Sequence, residues 1–555
     1  MIALLRSPRQ GLIAQSIILV LLSAIALILR IQLDMEGVRD VDALNLGLAA
    51  WDFNPIEQRP HPPGYLGYVI YLKGLHLLFP DLGPATLAKW GSRILGVLCV
   101  PAAWWTCRVL LVQPGAAPKI ALPALRPLTA AALVVAQPLL WYYGADGQSH
   151  SSEALATLLL FGSAVLCRRN GRTRDLVVLA FAFGLAGSLR PTIPLLCSPL
   201  LIWVAWGRPL SAWVSTVVSG LLGTLIWYVP TVWASGGLDL YTRAGEALIH
   251  AVFLRNFSVL STSADHTFVF VNTNIVVWGL ILSLPLFLGW MGSESKDDVS
   301  WRRAAFAVVG VSCSFYTLVY AAESGYFTGL AALSLLAPAT WPDSTREARR
   351  GIGLTVVGAL FGACFVLFGP AETPLVGTDS AARIAQPTFR SLWRWEAFTA
   401  SHRAQACDSD ETGHTVLVTD SDRSEFTRGA ALDCGISVVR WLIPTELQPK
   451  ADGLLIYRGM HITAVPTGVP FEQGPPSTHR FGEAVRRVRV SPTASDRVIR
   501  ALRQQQRCPP QSGQSRQDLP GSNSTPTWDV ACLPELTLGS HTILFDQADT
   551  GRPEP

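Results

Sequence analysis

Charge is scarce in this chain. Only 15% of its 555 residues are Asp, Glu, Lys or Arg, 50% are hydrophobic, and the mean hydropathy is +0.33. That balance excludes a soluble protein of this size and leaves an integral membrane protein. No basic stripe with interleaved aromatics is present, and the net charge of +4 is accounted for by short Lys/Arg clusters between apolar runs, so nucleic acid is not an expected partner. No CxxC or His-rich spacing supports a zinc site, no carboxylate cluster compels a divalent ion, and no cofactor is implied. An internal repeat is also lacking.

What the chain does have is apolar runs of about spanning length, near residues 12–30, 86–111, 125–143, 150–167, 175–190, 192–206, 210–233, 267–290, 303–321, 325–341 and 351–369. These predict an α-helical polytopic membrane protein of about eleven spans. Arg6 and Arg9 precede the first run and no small-residue cleavage site follows it, so it reads as an uncleaved anchor. Lys and Arg clusters fall on alternate loops: Arg6 and Arg9; Arg108, Lys119 and Arg126; Arg168, Arg169, Arg172 and Arg174; Arg208; Lys296, Arg302 and Arg303; Arg346, Arg349 and Arg350. Positive short loops stay cytoplasmic, which places the N-terminus inside and residues beyond 370 outside, in a plasma (inner) membrane. The scheme requires that the stretch 64–79, with Lys73 and His76, lie along the outer surface as a juxtamembrane helix. A central Lys in a span would cost about 2.5–3.5 kcal/mol.

Past residue 370 the composition turns polar, with β-patterned runs at 414–420, 435–443, 452–459 and 541–547 and a helical stretch between the first two. Residues 371–555 are therefore expected to form a small extracytoplasmic α/β domain beside the membrane domain of residues 1–370, with a flexible segment near 504–527. Its cysteines, Cys407, Cys434, Cys508 and Cys532, permit two disulfides in any of three pairings.

The candidate chemistry collects on the outer face. In the first outer loop, 31–85, an acidic pair, Asp40 and Asp42, precedes the stretch His61-Pro62-Pro63-Gly64-Tyr65. A hydroxyl or amine attacking the anomeric carbon of a sugar joined to a lipid phosphate needs a carboxylate base, for which Asp40 or Asp42 is available. The departing phosphate needs cations or hydrogen-bond donors, for which Arg59, His61, Lys73, Arg190, Arg243 and Arg255 are candidates. The prolines stiffen the backbone at His61; the plain alternative is a turn that starts a surface helix. Arg190, in the sequence SLRPTIP, needs an anionic partner, either a lipid phosphate or an acid such as Glu323 or Asp146. Tyr65, Tyr143, Asp146, Glu323 and Tyr326 are candidates for an acceptor site or cavity, with His150 and Glu153 close behind Asp146. Trp141, Tyr142 and Tyr143 read first as an aromatic interface belt, and Glu323 with Tyr326, in a tight outer turn, first as the site of a structural ion pair.

An early Asp in the first outer loop, HPPGY at that loop's end and many later spans, with weaker support from SLRP and ESGYF, resemble the GT-C superfamily of membrane glycosyltransferases, in the manner of the protein O-mannosyltransferase and aminoarabinose transferase group. The resemblance covers roughly residues 10–370. It implies a polyprenyl-phosphate-linked sugar donor, a protein, lipid or glycan acceptor, Asp40 as base, His61 in a basic site, and Arg243 or Arg255 on a later outer loop that meets the phosphate. The chain departs from the pattern where Val41 separates Asp40 from Asp42, and where Leu66 and Gly67 follow HPPGY in place of another proline. The competing classes are a transporter or lipid-linked-sugar flippase, and a scaffold whose outer domain binds a partner.

Overall fold

The computed structural model describes residues 8–32, 41–57, 59–111, 125–249, 299–316 and 324–340, together with the backbone of six short strands further on. The helices are α1 (Pro8–Gln32), α2 (Val41–Ala49), α3 (Leu66–Leu78), α4 (Pro84–Leu111), α5 (Leu125–Ala136), α6 (Pro138–Tyr142), α7 (His150–Asn170), α8 (Thr173–Ala186), α9 (Thr192–Ala205), α10 (Leu210–Ala234), α11 (Leu238–Leu248), α12 (Val299–Ser314) and α13 (Thr328–Ser334). Four of them, α1 (from Ile13), α4, α7 and α10, are long and apolar enough to cross a membrane. Ile17, Val20 and Leu21 of α1 and Val217, Leu221 and Leu225 of α10 are exposed, as residues facing lipid tails would be. The chain is an integral membrane protein.

The expected run at 125–143 is not one helix. Pro138 has no N–H to continue α5, and the side chain of Gln137 accepts the Leu139 N–H at 3.1 Å, so a new helix, α6, starts there. The run at 325–341 is likewise divided, into 3₁₀ turns at Ser324–Phe327 and Ala337–Thr340 around the short α13. The stretch 31–85 holds a helix that residue order does not announce, α2, before the expected α3. The runs at 267–290 and 351–369 lie outside the described residues.

Close helix contact follows from small residues, since helices in lipid approach by van der Waals packing. A Cβ at Gly184 would lie 2.0 Å from the Gly220 carbonyl oxygen, and one at Gly223 would lie 2.3 Å from that of Phe181. Hence α8 and α10 meet backbone to backbone, and the Trp227 indole donates to the Gly184 carbonyl at 2.9 Å. The main core lies between α4, α5, α7 and α9, with Trp301, Ala304 and Ala305 of α12 against it.

The bundle has two chemically different ends. At one, Arg168 donates to the Trp206 carbonyl at 2.6 Å and Arg169 to that of Leu110 at 3.0 Å, so these cations satisfy carbonyls just past α9 and at the last turn of α4. Gly171, at φ +71°, ends α7 there. The opposite end gathers the start of α2, the 50–65 loop, the start of α7 and the α8–α9 connection.

By contact the chain divides into two compact units, Met1–Trp395 and Glu396–Pro555. In the second, β3 (Val416–Thr419) pairs in parallel with β4 (Ser437–Arg440), which requires a crossover between them, and β5 (Gly453–Arg458) pairs antiparallel with β6 (His461–Pro466). In the first, β1 (Glu372–Pro374) and β2 (Arg383–Ala385) form an antiparallel pair. The expected strand at 541–547, the segment 504–527 and Cys407, Cys434, Cys508 and Cys532 lie outside the described residues.

Gly223→Val places a branched side chain against the Phe181 backbone. It is expected to lower stability by about 1–3 kcal/mol, as overpacking does. Thermal midpoints of the purified protein in detergent check this, with the exposed Val217→Ala as the neutral control.

Candidate active site

Asp42 stands in the first turn of α2, where unpaired backbone N–H groups favour a carboxylate. From the end of α2 the chain loops through a small bridge in which Asn54 and Arg59 exchange backbone hydrogen bonds of 2.8 and 2.9 Å. It then turns at Gly64, whose N–H donates to the His61 carbonyl at 3.0 Å. Gly64 has φ +100°, and a Cβ there would lie 2.5 Å from Thr231 of α10, so only glycine fits. The turn sets the His61 ring between two partners. Its Nδ1 is 3.2 Å from Asp42 Oδ1, and its Nε2 is 3.3 Å from the Tyr65 hydroxyl. Tyr65 itself sits in the left-handed region at φ +46°, which brings its phenol back over the His61 ring.

The next contact explains why Gly67, not proline, follows this motif. The Gly67 N–H donates to the Ser188 carbonyl at 2.9 Å, and a Cβ at Gly67 would lie 2.1 Å from the Ser188 hydroxyl. The start of α3 is thereby held tight against the α8–α9 connection, two residues before Arg190.

Arg190 is buried, with 3% of its side chain exposed, and so is its partner Glu153 at 2%; Arg190 Nε lies 3.0 Å from Glu153 Oε2. Arg190 Nη1 donates to His150 Nδ1 at 2.6 Å, and its guanidinium lies 4.2 Å from the centre of the Tyr326 ring. The rings of Tyr143 and Tyr326 stand edge-on to His150 at 4.8 and 5.2 Å. A Cβ at Gly325 would fall 2.6 Å from His150 Nε2, which seats the 324–327 turn directly on this cluster.

The two groups act on each other electrostatically. Burial alone would raise the Asp42 carboxyl; the His61 charge and hydrogen bond, with the Arg190 charge, more than offset it and hold Asp42 below its ordinary value. For His61, burial works against the proton and Asp42 wins, so its pKa lies above the ordinary value despite the opposing charge of Arg190. Asp42 and His61 are thus an ion pair between those two limits.

The other expected site residues are dispersed. Arg59 pairs with the exposed Asp52 at 2.5 Å, on the rim of the loop. Lys73 lies on the exposed face of α3. Arg243 lies on a helix, not in an irregular loop, and pairs with Asp239 at 3.0 Å, one turn back on α11; that helix rests on the loop through the Tyr241 hydroxyl, which donates to the Pro63 carbonyl at 3.4 Å. Asp146 is buried and accepts the Gln148 N–H at 2.9 Å. Asp40, Arg255 and Glu323 lie outside the described residues. Among the described residues Arg190 pairs with the acid Glu153. Tyr142 and Tyr143 are buried and do not form an interface belt.

Sequence reasoning missed Asn45, one turn beyond Asp42 and buried, and the buried pair Lys89 and Arg93 on α4. Two cations four residues apart inside an otherwise apolar run were the available signal. Among the described residues no group of three or more His, Cys, Asp or Glu side chains is placed to hold a metal ion.

No family model and no curated protein matches this chain. It is similar in structure to ArnT from Cupriavidus metallidurans in the apo state, with a TM-score of 0.46, 14% sequence identity, and 75% of this chain and 74% of that chain covered. The same protein bound to undecaprenyl phosphate gives a TM-score of 0.42 and 13% identity over the same shares. The Archaeoglobus fulgidus oligosaccharyltransferase in the apo form gives 0.39 and 11%, with 78% of this chain and 65% of that chain covered.

The ion pair predicts a pH dependence of stability. A raised His61 pKa contributes stability that is complete below the unfolded value of about 6.5 and is lost as pH rises through the folded value. The thermal midpoint of the wild type should therefore exceed that of His61→Asn most near pH 5.5 and least near pH 9. A gap that widens with pH contradicts the assignment.

Proposed function

We propose that the chain is a GT-C-like membrane glycosyltransferase that transfers a sugar from a polyprenyl-phosphate donor to a protein, lipid or glycan acceptor at the outer face. The observation that carries this reading is the Asp42–His61 ion pair set beside the buried Arg190 at one end of an apolar helical bundle. In the reaction the acceptor's O–H or N–H loses its proton to a carboxylate, its heteroatom bonds to the anomeric carbon, and the bond from that carbon to the phosphate oxygen breaks. Charge gathers on the departing lipid phosphate, where protonated His61 and Arg190 supply N–H donors.

Asp42 serves in this proposal to keep His61 charged and aimed, because a carboxyl held below its ordinary pKa is a poor proton acceptor. That leaves Asp40, two residues earlier, as the base. The Asp42-bearing end is the extracytoplasmic one in this reading, consistent with Arg168 and Arg169 at the other end of the bundle.

Transfer of radiolabelled sugar from a panel of polyprenyl-phosphate donors in membranes tests the proposal. Asp40→Asn is expected to lower kcat by about 10²–10⁴-fold. Asp42→Asn is expected to raise KM for the donor more than it lowers kcat. The converse pattern would exchange the two roles. Absence of wild-type transfer from every donor, with native membrane extract as acceptor, would favour transport, which the interrupted α8–α9 helix pair around Arg190 also suits.

A further inference from the structure

The contact between Arg190 and Glu153 is close but poorly made. At 3.0 Å the Arg190 Nε and Glu153 Oε2 are in ion-pair range, yet neither atom has a hydrogen-bond partner in acceptable geometry, and both are buried. A buried guanidinium normally satisfies its N–H groups by parallel, in-plane bonds to a carboxylate, which is the source of its strength. Here only Nη1 is well directed, at His150. The other Glu153 oxygen, on the side turned to Tyr316, accepts from its hydroxyl at a long 3.4 Å.

On that side of Glu153 lies a narrow cleft between α7, α9, α12 and α13. Thr157, Ser312, Tyr316 and Tyr326 line it with Glu153, and the apolar Leu330 forms part of its wall. All four of these residues carry hydroxyls, and that of Tyr316 donates to the carboxylate. A Cβ at Gly329 would lie 3.1 Å from Glu153 Oε1 and 3.2 Å from Thr157 Oγ1, so glycine keeps that space clear.

We propose that Glu153 is an exchangeable counter-ion. It neutralises Arg190 until a lipid-borne phosphate arrives, and then swings into the hydroxyl-lined cleft as the phosphate takes over the Arg190 N–H groups. The inference rests on the reading of this end of the bundle as a phosphate site. Its physical basis is that an unpaired buried cation is costly, so the protein carries its own anion, and that a misaligned anion gives way to one that fits the guanidinium fork. Glu153 is on this view a positioning residue that competes with the phosphate and sets its affinity.

Binding of farnesyl phosphate, a short polyprenyl monophosphate, to the purified full-length protein in detergent tests this by calorimetry, with thermal midpoints as the check on folding. Glu153→Gln removes the competing charge and is expected to tighten binding about tenfold, within the usual span of coupling between two sites. Arg190→Gln is expected to abolish binding. Should Glu153→Gln fail to fold, Glu153→Asp, which withdraws the carboxylate by one methylene, is expected to tighten binding several-fold. Unchanged or weaker binding in a folded Glu153 variant, with binding lost in Arg190→Gln, overturns the exchange and leaves the phosphate site standing. Unchanged binding in Arg190→Gln overturns the phosphate site itself.

Discussion

A cation buried where water does not reach must be paid for by partners, and Arg190 is the point at which this molecule meets that constraint. Its guanidinium draws together residues from four separate places: Glu153 and His150 at the start of α7, Tyr326 from the 324–327 turn, Tyr143 through its contact with His150, and, by charge alone, Asp42; its charge opposes that of His61. Remove the guanidinium and Glu153 is left as an isolated buried carboxylate, the less tolerable half of a broken pair. The break between α8 and α9 exists at this position because Pro191 follows Arg190 and the turn of residues 187–190 closes on its own backbone, with Ser188, Leu189 and Arg190 donating to carbonyls of Leu185 and Ala186.

Glycine governs how near the rest of the site can come. Gly67 lets α3 start against Ser188, Gly64 lets the HPPGY turn sit on Thr231, and Gly325 lets the 324–327 turn lie on His150. Each is a place where a single methyl group would force its neighbours to shift. The polar groups at this end are consequently held by backbone contact, and the pair Asp42–His61 keeps its geometry although Asp42 is 39% exposed. A half-buried ion pair of this kind adds modest stability, and it also fixes which face His61 presents.

Several features were legible from residue order. The long apolar runs at α1, α4, α7 and α10 became helices, the 64–79 stretch became α3, and Asp42, His61 and Arg190 share one end of the bundle, because Asp42 and His61 lie in the connection that follows the first run and Arg190 ends the run at 175–190. Other features were not. Residue order offers Arg190 a lipid phosphate, Glu323 or Asp146 as its anion, whereas Glu153 reaches it from the first turn of α7. Periodicity marks Glu153 only as a polar residue early in a span; it says nothing of which neighbouring helix end stands opposite. Arg59 and Arg243 looked equivalent to Arg190 as cations, and the structure gives them local acids, Asp52 and Asp239, that were always within seven residues. Tyr143 read as a surface aromatic because it ends an apolar run; the broken α5–α6 helix turns it inward.

The sequence by itself determined that this protein lives in a membrane, where its long helices run, and that its ionisable residues collect at helix ends and connections, since burying charge in lipid is costly and apolar length can be read directly. Tertiary structure alone decided which charges meet. Pairing of Arg190 with Glu153 and of Asp42 with His61 depends on the rotation and close approach of α3, α7 and the α8–α9 connection, set by glycines whose role appears only when another backbone lies against them.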